Sequence, residues 1–434
     1  MKKREIWLVG CCALLGIPAF ALGRVLLLLI RVSGNFFFHG GASMAIEGPP
    51  LAIPAWAILA PALGGLIVGL VARFATPAVR GHGVPEIIET VLTAQSRVPW
   101  KVALLKPLCA AISIGSGGPY GAEGPVIGLG GSLGSLLGQW LTVSNWERKV
   151  LLSAGAAAGV TAVFGCPVGA ALLAVELLLF EFTPTTLMAV GLASTVSGVL
   201  RVALLGSAPL FPMAALDPPS GPALAFYVLL GLPLGAAAAG LIQLTHLLER
   251  GYGRLPIHWM WHPALGGLAV GLIAYQEPRV LGTGYVSLGS TLAGGLAGQA
   301  LGAYVGLKVA AWSVGLASGT AGGTLAPLFG IGAGLGALLT ALGAAAAPAL
   351  GLDPRMGALL GMAALFAGAS RAVLASILIA VETTQMFSGG LALLGASLMA
   401  VATASWLLPH SIMTMGLERR GIAIPGIRKP GTRP

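Results

Sequence analysis

Residues 115–137 read GSGGPYGAEGPVIGLGGSLGSLL, and residues 317–339 read ASGTAGGTLAPLFGIGAGLGALL. Laid over one another without a gap, they match Ser116 with Ser318, Gly117 with Gly319, Gly121 with Gly323 and Pro125 with Pro327, an offset of 202. Gly128, Gly130, Leu133 and Gly134 meet identical partners in Gly330, Gly332, Leu335 and Gly336. A second ungapped match, GAAAGVTAVFGCPVGAALLAVE from Gly155 over GMAALFAGASRAVLASILIAVE from Gly361, pairs Glu176 with Glu382 at an offset of 206. Any two Gly- and Ala-rich apolar stretches share some identities, but two collinear matches at nearly one offset indicate a duplicated half. The halves run over residues 1–205 and 218–420. LLGSAPLFPMAALDPPSGP from Leu204 connects them, and a short tail, 421–434, follows within a single transmembrane domain.

The composition names the solvent. Of 434 residues, 56% are hydrophobic and 9% charged, which excludes an ordinary soluble domain. Charge-free runs recur at Gly48 to Ala72, Leu151 to Val175, Phe182 to Leu200, Val280 to Leu307 and Val309 to Leu352. Each is near or beyond the roughly 20 apolar residues that span a bilayer, so ten or more helical segments are expected. With 66 Gly and 29 Pro threaded through them, the predicted fold is an all-α polytopic membrane protein with short, broken and re-entrant helices. The net charge of +10 is spread singly or gathered at MKKRE and at LERRGIAIPGIRKPGTRP. That distribution argues against nucleic acid and, by the positive-inside tendency, places both termini in the cytoplasm with an even number of crossings. The first apolar run lacks a small-residue cleavage site and reads as a retained helix. Cys11, Cys12, Cys109 and Cys166 lack CxxC spacing, and the six His are scattered, so no disulfide, metal or cofactor is expected.

Between Lys106 and Glu147 the only formal charge is Glu123. Glycine-rich turns that open a helix leave its first N–H groups unpaired, and the helix dipole adds positive potential there, so the turn is an anion cradle made without Lys or Arg. GAEGPVIGLGG and GGTLAPLFGIG provide one cradle in each half. Backbone of this kind is tolerated at membrane depth only where protein or a cavity surrounds it. A carboxylate is itself an anion. Glu123 therefore competes with a permeant anion for the cradle, and its protonation lifts the competition, which makes it a gate and a candidate proton acceptor. The bland reading is a Glu paired with a distant Lys or Arg, or one facing an aqueous vestibule.

These segments resemble the CLC family of chloride channels and chloride/proton antiporters. GHGVPE from Gly81 is similar to the family's GSGIPE, GAEGP from Gly121 to its GREGP, and GGTLAP from Gly322 to its GGIFAP, in the family's order. The resemblance implies an inverted-repeat helical fold and a homodimer with one pore per subunit in the plasma (inner) membrane. It also implies chloride as substrate, with other halides or nitrate as further inorganic anions, and membrane lipid as the surrounding partner. Glu123 matches the gating glutamate. The anion-binding set carried over is His82, Gly83, Glu123, Gly124, Thr324, Leu325 and His410, with helix breaks at Gly81, Pro85, Gly121, Pro125, Gly323 and Pro327. The backbone amides of Thr324 and Leu325 are expected to face the anion. No large cytoplasmic regulatory domain is expected, as in prokaryotic-type members.

Three departures from the pattern stand out. His82 replaces the family's coordinating Ser, Ala122 replaces the Arg beside the gating Glu, and LLPHSIM aligns His410 with the coordinating Tyr. The inner proton-relay glutamate of exchangers follows the Glu of the FGCPVGAALLAVE helix. Here Glu176 is kept and Leu177 comes next, with Glu181 four residues further on, placed either on that helix face or at a solvated helix end. The alternatives are a fluoride-exporting antiporter of the same family and, from another class, a membrane-embedded hydrolase using Ser116 or Ser318. The hydrolase lacks a GxSxG elbow.

Overall fold

The computed structural model describes residues 2–41 and 53–425. The start of the apolar run at Gly48 and residues 426–434 of the basic tail lie outside the described residues. Among the described residues the chain is a succession of helices, and seven helical segments are long and apolar enough to cross a membrane, from Lys3–His39 to Gly390–Leu407. Others are too short. Val84–Thr93, Pro167–Ala174, Tyr285–Leu292 and Val373–Thr384 have 8 to 12 residues, or about 12–18 Å at 1.5 Å per residue, against a hydrocarbon core of about 30 Å. Their ends are the broken backbone that the glycine content predicted.

Small residues set the helix contacts. Helix Ala60–Phe74 crosses helix His262–Gln276 so closely that a Cβ on Gly65 would run into the carbonyl of Pro263, and one on Gly267 into the carbonyl of Pro61. The two helices carry PALGGLIVGL from Pro61 and PALGGLAVGL from Pro263, again 202 apart. This third repeat match escaped the reading by motif. The same helices press Gly64 on Ser116 and Gly266 on Ser318. Both serine hydroxyls are buried and donate to carbonyls three residues back, Ser113 at 3.1 Å and Gly315 at 2.6 Å. They are packing groups, which removes the two nucleophiles on which the hydrolase reading depended.

Sequence identity left open whether the halves are parallel or inverted, and two cavities decide it. Helix Trp100–Gly115 begins at one cavity, through Val102 and Lys106, and ends at another, through Ile114 and Gly115. Its repeat mate Gly298–Ala317 ends at the first cavity, through Leu316 and Ala317. One mate starts at this cavity and the other ends there, so the two run in opposite directions and the repeat is inverted.

The two repeat-related glutamates exchange caps across the halves. Glu176 accepts from the N–H groups of Leu374 (3.2 Å) and Ala375 (3.0 Å), at the start of helix Val373–Thr384. Glu382 accepts from Val168 (3.1 Å) and Gly169 (2.7 Å), at the start of helix Pro167–Ala174. Hydrogen bonds to a charged acceptor contribute about 1.5–3 kcal/mol. Glu176→Ala and Glu382→Ala are each expected to destabilise the protein by about 2 kcal/mol, with the Gln variants milder, as read from unfolding in detergent. Equal stability of both Ala variants and the parent would contradict the cap role.

Candidate functional site

The three glycine motifs, far apart in sequence, meet backbone to backbone. Gly121 and Gly323 exchange N–H to carbonyl hydrogen bonds at 3.0 and 2.8 Å, while Gly81 donates to Thr320 (3.1 Å) and accepts from Gly322 (3.4 Å). Helices Val84–Thr93, Glu123–Trp140 and Leu325–Ala346 all begin at this junction. Pro85, Pro125 and Pro327 lie in their first turns, where the N–H that proline lacks has no intrahelical partner. Gly83 takes φ +92°, a conformation that side chains resist, and a Cβ there would strike the peptide of Gly124. Gly124 in turn packs against the carbonyl of His82 and the Cα of Gly323. This contact closes the chain around the junction and leaves no room for a side chain on either glycine.

Glu123 stands at the centre and is 1% exposed. One of its oxygens accepts from the N–H of Ala326, and the N–H of Leu325 is also directed at the carboxylate. The other oxygen is buried without a hydrogen-bond partner. A side-chain anion thus occupies the cradle that the sequence assigned to a permeant one. The Glu123 carboxylate rests at the amides of Leu325 and Ala326, and Thr324 is the N-cap preceding them. Pro327 supplies none, because its ring replaces the N–H.

The cation near this carboxylate comes from the other half. Lys308, also 1% exposed, donates to the carbonyls of Val280 (2.7 Å) and Gly282 (3.2 Å) and acts on Glu123 through space. Its repeat mate is Lys106, at the same offset of 202. The two environments are unequal. Lys106 faces the carboxylate of Glu86 at 3.4 Å, while no carboxylate hydrogen-bonds Lys308 among the described residues. Motif reading along the chain missed Lys308, although the repeat alignment extended backward would have reached it. The hydroxyl of Tyr285 is a further buried group without a partner, beside Ala122 and within electrostatic reach of Glu123.

On one side of the junction lies a cavity of about 840 Å³ lined by Arg80, His82, Lys106, Pro125, Gly128 and Ser132 among others. His82 faces it with a buried Nδ1 that has no partner. The backbone N–H groups of His82 and Gly83 donate to Glu86 at 3.2 and 2.6 Å. The Gly83 amide, expected in the anion set, is therefore already taken by a carboxylate of its own helix. His410 is not brought to the junction. It follows helix Gly390–Leu407, its side chain is 39% exposed, and it pairs with Glu418, away from the residues lining the cavity.

Leu177 is buried against Val84, Ile127, Ala156 and Leu173 in a space of only about 10 Å³. Of the two placements open to Glu181, the structure has the one past the helix end. Phe180 turns into the left-handed region at φ +53° and ends the helix, leaving Glu181 beyond it as the acceptor of the Trp146 indole N–H at 2.8 Å.

An inverted-repeat membrane protein whose helix starts converge on a buried anion between two cavities is a protein of the anion-transport class. Residues 64–405 match the family model for voltage gated chloride channels, and the chain belongs to that family of membrane transporters and channels. It is 28% identical over 417 residues to the putative chloride channel protein ClcB-like of Ralstonia nicotianae, with 95% of each chain covered. It spans only 48% of the length of chloride channel protein CLC-f of Arabidopsis thaliana, at 28% identity over 391 residues. Among solved structures, a slow cyanobacterial Cl⁻/H⁺ antiporter superposes with a TM-score of 0.85 at 21% identity, covering 97% of this chain and 98% of the other. A CLC-type fluoride/proton antiporter does so at 0.72 and 22%, covering 95% and 98%.

Proposed function

We propose that this protein moves chloride across the plasma membrane through the junction of the three glycine motifs, with Glu123 as the gate. The observation that carries the reading is the Glu123 carboxylate resting on the first amides of helix Leu325–Ala346, between two cavities. An entering chloride needs those N–H groups and displaces the carboxylate. Protonation neutralises Glu123 and weakens its hold on the amides, which opens the path. The basic ends of the chain support termini in the cytoplasm, with the His82 cavity on the inner side; the family supports a homodimer with one path per subunit. Leu177 in its dry apolar surroundings offers no inner acid to feed protons to Glu123, and we assign the protein to chloride passage without that relay.

The test is to reconstitute the protein in chloride-loaded liposomes and record chloride efflux and external pH together, with and without a protonophore. Chloride flux without proton movement is expected. Protons driven uphill by the chloride gradient would identify an exchanger and overturn the uncoupled reading, and preference for fluoride in competition would reassign the substrate within the family.

His82 extends the reading to the inner side. Its unpartnered ring nitrogen can donate to an anion when it carries a proton. Apparent chloride affinity from the His82 side is expected to fall severalfold in His82→Leu, which keeps the bulk but removes the donor. An unchanged affinity in the variant would remove His82 from the site.

A further inference from the structure

The second cavity, about 400 Å³, lies at the far end of helix Trp100–Gly115 and is lined by Arg24, Arg31 and Arg201 together with the turn Gly282 to Tyr285. Arg24 and Arg31 are seven residues apart on helix Lys3–His39, two turns along one face. Arg201 comes from the last turns of helix Pro184–Leu205. Its guanidinium packs on Gly165, the left-handed residue that ends helix Asn145–Phe164, so the carbonyl end of that helix dipole faces it. Arg24 lies within electrostatic reach of both other arginines. Among the described residues no carboxylate pairs with any of the three, and the Arg201 Nε is buried without a partner. Arg279 at the same cavity differs, being held by Glu277 through two bonds of 2.6 Å. Three half-buried guanidiniums gather in a cavity whose wall includes Tyr285, and among the described residues no carboxylate supplies their counter-charge.

We propose that this cavity is an anion-binding antechamber, in which Arg24, Arg31 and Arg201 hold a small inorganic anion on the side of Glu123 opposite His82. The proposal rests on the anion-transport reading for its purpose and on the arginine cluster for its chemistry. The cluster also accounts for Ala122: the positive charge that the family pattern places beside the gate is supplied here from two neighbouring helices.

Crystals of the full-length protein soaked in bromide give an anomalous signal that locates the anion directly. A bromide peak among the three guanidiniums is expected in the parent, lost in Arg201→Gln and retained in Arg201→Lys. In proteoliposomes, Arg31→Gln, a second variant in case Arg201→Gln fails to fold, is expected to weaken apparent chloride affinity about tenfold from this side only, the loss of one charge-assisted contact. Absence of bromide from the cavity in the parent, or chloride affinity unchanged in both Gln variants, overturns the proposal. Bromide bound among the arginines of a protein that moves no chloride would keep the site and refute the transport reading.

Discussion

Glu123→Gln is expected to abolish the pH dependence of chloride flux, leaving a flux at neutral pH as high as the parent reaches only in acid. The amide keeps the size of the side chain and one acceptor oxygen but not the charge that competes with chloride for the amides of Leu325 and Ala326. Charge-assisted hydrogen bonds contribute about 1.5–3 kcal/mol, against about 1 kcal/mol for neutral ones. The lost difference corresponds to roughly a tenfold shift in that competition. The sign follows from which form blocks: the ionised carboxylate closes the path, so parent flux rises as pH falls, while Gln is fixed in the open sense. Glu123→Ala should behave alike, with the cradle emptied altogether. The measurement is initial chloride efflux from proteoliposomes between pH 4.5 and 7.5. A Gln variant with the parent's pH profile would mean that some other group titrates and that Glu123 is a structural acid.

Lys308→Met carries the second large effect. The ammonium is buried, bonded to two backbone carbonyls, and is the cation that the fold brings near the gate. At an effective dielectric constant of about 20, two unit charges interact by about 4 kcal/mol at about 4 Å and proportionally less with distance. Removing this one should weaken chloride binding at the junction by tenfold or more, with Lys308→Arg preserving most of it. Methionine also leaves the carbonyls of Val280 and Gly282 without their donor, at about 1–3 kcal/mol each if water does not replace it, so stability must be followed alongside. The decisive comparison is made in the Glu123→Gln background, where the lysine no longer acts through the gate carboxylate. If Met at 308 lowers chloride affinity there too, Lys308 acts on the permeant anion; unchanged affinity would confine it to holding the loop Val280 to Gly284.

Several features of this protein were legible in the amino-acid sequence. Charge-free apolar runs of about 20 residues or more, recurring along the chain, point to a bilayer. The offset of 202 between Gly121 and Gly323 exposed the duplication, and the glycine-rich starts of two helices, with a single carboxylate in one of them, pointed to the junction and to the buried Glu123 proposed as its gate. Such features are local, or repeat at a constant interval, and for that reason a linear reading finds them. The tertiary structure decided the rest. It inverted one half against the other, placed the Glu123 carboxylate on the start of helix Leu325–Ala346, gave the Gly83 amide to Glu86 and turned His410 towards Glu418. It also delivered Lys308 and three arginines from helices remote in sequence. The physical reason is common to all of these. In a membrane interior each N–H, carbonyl and charge must find a partner, and which partner it finds depends on how helices cross and which residues are small enough to let them approach, a property of the packed halves together and of neither segment alone.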